Sequence, residues 1–78
     1  MAEQSDAAEL VAFMAKSLVG DVDAVAVVEV DDGGTLELET SADDRGRVIG
    51  RQGRVAKAMR AVLAASSFGE DLRLEIVD

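Results

Sequence analysis

Six of the chain's eight cationic residues fall between Arg45 and Arg60, and no aspartate or glutamate occurs from Arg45 to Gly69. That stretch carries formal charge +6, while the remainder, with two cations against sixteen acids, carries −14. At its centre Gly50-Arg51-Gln52-Gly53 follows the apolar pair Val48-Ile49 and precedes Arg54 and Lys57. The chemistry available to such a pattern is anion binding. Glycines at 50 and 53 remove the Cβ atoms that would hold a sugar-phosphate backbone away. A helix starting here adds unpaired N–H groups and the positive end of its dipole. Arg51 and Arg54 oppose that dipole, which makes sense where an anion occupies the site. Arg47, Arg51, Gln52, Arg54 and Lys57 are the polar candidates; Val48 and Ile49 would form the apolar side of a groove for bases.

Other chemistries are closed off. With no histidine and no cysteine, nucleophilic catalysis with a His base and His- or Cys-ligated metal sites are excluded, and no disulfide framework exists. The acids sit on strand faces and in turns, so no catalytic residue, cofactor or metal ligand is assigned and the chain reads as no enzyme. The Asp31-Asp32 pair reads as hairpin-turn chemistry rather than as a cation site. Without Trp or Tyr an aromatic stacking platform is missing. Net charge −8 and pI near 4.3 argue against a nucleic-acid partner in total. Charges more than about 8–10 Å apart are screened at physiological salt, so the segregated cations still act locally.

The elements that must position these residues follow from periodicity. Asp6 to Val19 reads as an amphipathic helix with Leu10, Met14 and Leu18 on its stripe, widened by Val11 and Phe13, Asp6-x-x-Glu9 at its start and Gly20 as its stop. Ala24–Val30 and Thr35–Thr40 read as a hairpin around Asp31-Asp32-Gly33-Gly34. Val28, Val30, Leu36 and Leu38 are expected inward, with Glu29, Glu37 and Glu39 outward. Ser41-x-x-Asp44 opens a short helix to Ile49, in which Gly46 suggests close approach by another backbone or a ligand. A longer helix from Gly53 to about Ser67 carries Ala56, Met59 and Leu63 in one apolar line and Val55 and Val62 in a second, wider than one sheet needs. Phe68 to Asp71 turns the chain, and Leu72–Val77 alternates as a last strand.

The order is helix, strand, strand, helix, helix, strand: an α+β fold with a three-stranded mixed sheet and three helices on one face. Residues 1–78 are expected to form one domain, burying roughly 60% of its unfolded surface. The polar, acidic start shows no signal pattern and no run approaches the ~20 apolar residues of a membrane span, so a cytoplasmic location without membrane contact is expected.

Val48-Ile49-Gly50-Arg51-Gln52-Gly53 before a basic helix resembles the Ile-Gly-x-x-Gly signature of KH domains, whose turn clamps about four nucleotides of backbone. The element order resembles the type II form, and the small size resembles the stand-alone bacterial proteins of the KhpA type. The resemblance implies single-stranded RNA as the ligand, without distinguishing it from DNA. It also implies action as a homodimer or with a larger Jag/KhpB-type KH protein, and a role as RNA chaperone or post-transcriptional regulator linked in some bacteria to cell shape. The competing reading is a protein-interaction module with an idle turn.

Overall fold

The computed structural model describes residues 5–67 and 71–77; the expected turn at Phe68 to Glu70 lies outside them. Helix α1 spans Asp6–Lys16, strands β1 and β2 span Ala26–Val30 and Thr35–Glu39, α2 spans Arg45–Ile49, α3 spans Arg54–Ala65 and β3 spans Arg73–Ile76. The sheet order is β1-β2-β3, with β1 antiparallel and β3 parallel to the central β2. The two-helix connection between β2 and β3 is what permits the parallel pairing.

All three helices share one core with one face of the sheet. Ala7, Ala8, Val11 and Ala15 of α1, Val48 of α2 and Met59 and Leu63 of α3 close over Val27, Leu36, Leu38 and Leu74. Full burial of a leucine such as Leu36, Leu38 or Leu63 stabilises by about 1.5–3 kcal/mol. On α3 the expected line Ala56, Met59 and Leu63 is the buried one.

Three expectations are corrected. In β1 the inward residue is Val27, opposite Leu38, whereas Val28 lies opposite Glu37 on the face without helices and Val30 lies opposite Thr35. Glu29 stands opposite Leu36 but stays exposed at the rim. The segment Val25-Ala26-Val27-Val28 is apolar in both phases, and choosing the wrong phase exchanges the faces. In α1 the buried line is Ala7, Val11 and Ala15, because small side chains let the helix lie close to the sheet. The bulkier Phe13 is 71% exposed and Leu18 is exposed as well. The helix also ends earlier, at Lys16, where the Ser17 hydroxyl and N–H both bond the Phe13 carbonyl. Its start is capped by Ser5, whose Oγ accepts from the Ala8 N–H at 3.1 Å, with Asp6 and Glu9 in the first turn.

Gly20 is not the left-handed stop; its φ is not positive. Its N–H and that of Asp21 instead donate to the two carboxylate oxygens of Asp44, at 3.1 and 3.0 Å. A Cβ on Gly20 would meet the Asp44 and Arg47 side chains at 3.7 and 3.4 Å. Ser41 donates its hydroxyl to the same carboxylate at 3.0 Å, so the Ser-x-x-Asp signal works side chain to side chain. Asp44 thus ties the segment after α1 to the start of α2.

Candidate nucleic-acid interface

The chain between α2 and α3 is a turn built from left-handed backbone. Gly50 has φ 75°, ψ 172°, Gln52 φ 57°, ψ 24°, and Gly53 φ 76°, ψ 15°. The Gly50 conformation is essentially restricted to glycine. A Cβ there would also run into the Val55 side chain and stand 2.8 Å from the Val55 nitrogen. The first glycine is therefore required by the next helix, not only by clearance for a ligand. Around Gly53 no atom beyond its chain neighbours lies within 4 Å of a Cβ position; its left-handed φ favours glycine and its outer side is open. Gly46 lies inside α2 without a positive φ, and with nothing within 4 Å of its Cβ position no neighbouring backbone accounts for the missing side chain.

Gly50 N–H bonds the Gly46 carbonyl at 2.8 Å, and Gly53 N–H bonds the Gly50 carbonyl at 3.1 Å. These bonds fix the turn from inside and leave its side chains outside. Arg51, Gln52, Arg54 and Lys57 are exposed, and the Arg54 guanidinium leans on the Gln52 amide oxygen at 3.4 Å. No side chain caps the N-terminus of α3, so its first N–H groups join these cations on one surface.

Arg47 and Val48 depart from a simple grip. The Arg47 guanidinium lies 3.5 Å from Asp44 with its side chain 62% exposed, so it is anchored at one end and open at the other. Val48 is fully buried; it holds α2 to the core and offers no surface to a base. Ile49, 37% exposed, is the apolar lip beside Gly50. The sequence reasoning missed Asp44, which positions this helix. Its carboxyl is held below the ordinary aspartate range by the Gly20 N–H first, then the Asp21 N–H; burial opposes, and the Ser41 hydroxyl and the Arg47 charge assist. The Ser41-x-x-Asp44 pattern marked the residue but not its partners more than twenty positions away.

A second surface adjoins the first at Arg54. Phe13, Met14, Leu18, Val55, Met59 and Val62, with Ser17, Arg54 and Ala58, line an almost wholly apolar groove of about 430 Å³ between α1 and α3. Val62 is 48% exposed there, in keeping with the second apolar line seen in the sequence.

A mixed three-stranded sheet covered on one face by helices, with a Gly-x-x-Gly turn joining the second and third, defines a KH domain of the type II form. The profile of the family described as KhpA/KhpB, KH domain, matches residues 8–76. Similar proteins include the RNA-binding protein KhpA of Halalkalibacterium halodurans, 48% identical over 73 residues, covering 88% of this chain and 96% of that one. The RNA-binding protein KhpA of Clostridium perfringens is 44% identical, covering 87% and 93%, and that of Borreliella burgdorferi is 42% identical over the whole of both chains. No solved structure matches the chain. The chain belongs to the KhpA/KhpB KH-domain family. Among the described residues no helix is long and apolar enough to cross a membrane.

Proposed function

We propose that this protein binds single-stranded RNA through the Gly50–Gly53 turn and the start of α3, acting in the cytoplasm as an RNA chaperone or post-transcriptional regulator. The observation that carries the reading is the turn itself: internally bonded backbone with Arg51, Gln52 and Arg54 facing outward at an uncapped helix start. A phosphate placed there meets N–H groups and guanidinium groups in an acid-free window, with Ile49 beside it for a base. The relatives named RNA-binding proteins support the ligand class. The reading assigns no catalytic step to the chain. If about three phosphates are neutralised, the log–log salt slope is roughly −2, and one such site binds at about micromolar strength or weaker. Replacing Arg51 and Gln52 together by Asp should abolish binding of short single-stranded RNA while leaving the thermal midpoint in place. Retained binding in that variant refutes the reading.

The weakness of one site gives the apolar groove its function, since a second site raises effective concentration. Phe13 projects beside a groove lined by Met14, Val55, Met59 and Val62, so knob and hole lie on one surface. A two-fold pairing satisfies both at once, with a second copy or with the KH domain of a larger KhpB-type protein. In light scattering the 8.2 kDa chain should run as a dimer at high micromolar concentration and Phe13→Asp as a monomer. A monomeric wild-type protein would contradict the homodimer.

A further inference from the structure

The last cation of the +6 stretch, Arg60, lies beyond the turn on α3. Arg60 stands seven residues beyond Gly53, about 10 Å along α3 at 1.5 Å per residue, on the flank it shares with Lys57 and Ala64. Its Nε–H donates to the Leu74 carbonyl of β3 at 3.0 Å. Strand β3 is a sheet edge. The N–H groups of Arg73 and Val77 bond Gly34 and Leu38 on the β2 side, so alternation turns the Leu74 peptide toward the open edge. The guanidinium is thereby fixed in direction, and its two terminal nitrogens keep four N–H donors in a planar fork.

Beside it is an open surface groove of about 450 Å³ lined by Arg60, Ala64, Leu72, Arg73, Leu74 and Glu75. Its chemistry differs from that of the turn. Ala64 and Leu72 give it apolar surface, Arg60 and Arg73 are its cations and an acid, Glu75, belongs to its wall. Leu74, buried in the core, borders it with little beyond its backbone. The turn offers cations alone. A phosphate suits the turn; a flat apolar ring with an acceptor edge suits the groove. Guanine presents two adjacent acceptors, O6 and N7, that match the arginine fork, and an unpaired strand leaves that edge accessible. At about 3.4 Å per stacked nucleotide, the distance from the turn corresponds to about three nucleotides.

The geometry points to Arg60 as a base-reading residue that holds a guanine about three nucleotides from the phosphate seated at Gly50–Gly53. The assignment rests on the RNA-binding reading above and adds a sequence preference to it. The test is fluorescence anisotropy with hexauridine and a series of hexamers in which one guanosine is walked through the uridines. Wild-type protein prefers one guanosine position by about tenfold. Arg60→Lys keeps the charge, so it keeps hexauridine affinity and the salt slope but loses the preference. In the wild-type spectrum the Arg60 Nε–H signal shifts with the preferred hexamer and stays with hexauridine, a readout that needs no variant to fold. Equal affinity of wild-type protein for every hexamer overturns the assignment alone. So does an Arg60→Gln loss that is uniform over all hexamers, shallower in salt and restored by Lys, because that marks a phosphate contact. Failure to bind any hexamer removes the RNA-binding reading, and this assignment with it.

Discussion

Two turns in this molecule use the same backbone device for opposite ends. The hairpin turn carries Asp31, Asp32 and Gly33 at φ 55°, 56° and 87°; the interhelical turn carries Gly50, Gln52 and Gly53 at 75°, 57° and 76°. At the hairpin the polar side chain is spent inside: Asp31 accepts from the buried Thr35 hydroxyl at 3.1 Å. At the interhelical turn the backbone bonds to itself and the long side chains stay outside, cationic and paired only with each other. Left-handed backbone is therefore no mark of a site by itself. What separates a closing turn from a binding turn is whether its side chains are consumed by the fold.

That contrast can be broken in three ways, in falling order of effect. Gly50→Ala places a Cβ in glycine-only backbone and against Val55. It should cost about 3 kcal/mol, or roughly 12–24 °C in thermal midpoint at about 4–8 °C per kcal/mol for a domain of this size. A midpoint within a few degrees of wild type would show that the turn is not held as described.

Next comes the support behind the binding turn. The folded-state value of Asp44 lies below its unfolded one, so its stabilisation is complete above about pH 4, the unfolded carboxyl range, and is lost as pH falls through the folded value. Thermal melts of wild type and Asp44→Asn from pH 7 to pH 2.5 should therefore differ at neutral pH and converge in acid. A constant gap across that range would assign the difference to packing instead.

The smallest effect belongs to the closing turn. Asp31→Ala removes one side-chain hydrogen bond, worth about 0.5–1.5 kcal/mol, and should leave RNA affinity within twofold. A large loss of affinity in that variant would erase the distinction between the two turns.

Much of this was legible because pattern and physics agreed. Ala56, Met59 and Leu63 recur at helical spacing with nothing competing, and Leu36, Leu38 and Leu74 alternate unambiguously, so α3, β2 and β3 could be read directly. The glycine-bracketed turn was legible because glycine is scarce in helices for a known reason. Where the reading failed, the signal was degenerate or nonlocal. Val25 to Val28 offers two apolar phases, and alanine carries too little hydrophobic contrast to outweigh Phe13 and Leu18 in α1. The roles of Gly20 and Asp44 exist only once residues 24 positions apart are brought together. Val48 was placed in the right segment, yet its complete burial depends on how α2 sits over the sheet.

The account depends most on which of the two turns a strand of RNA touches. Backbone amide shifts of the labelled protein, followed during titration with a single-stranded hexanucleotide, address this directly. The account predicts movement concentrated in residues 47–57, with residues 31–34 unchanged. Movement at the hairpin turn, or anywhere else while residues 47–57 stay still, would contradict it.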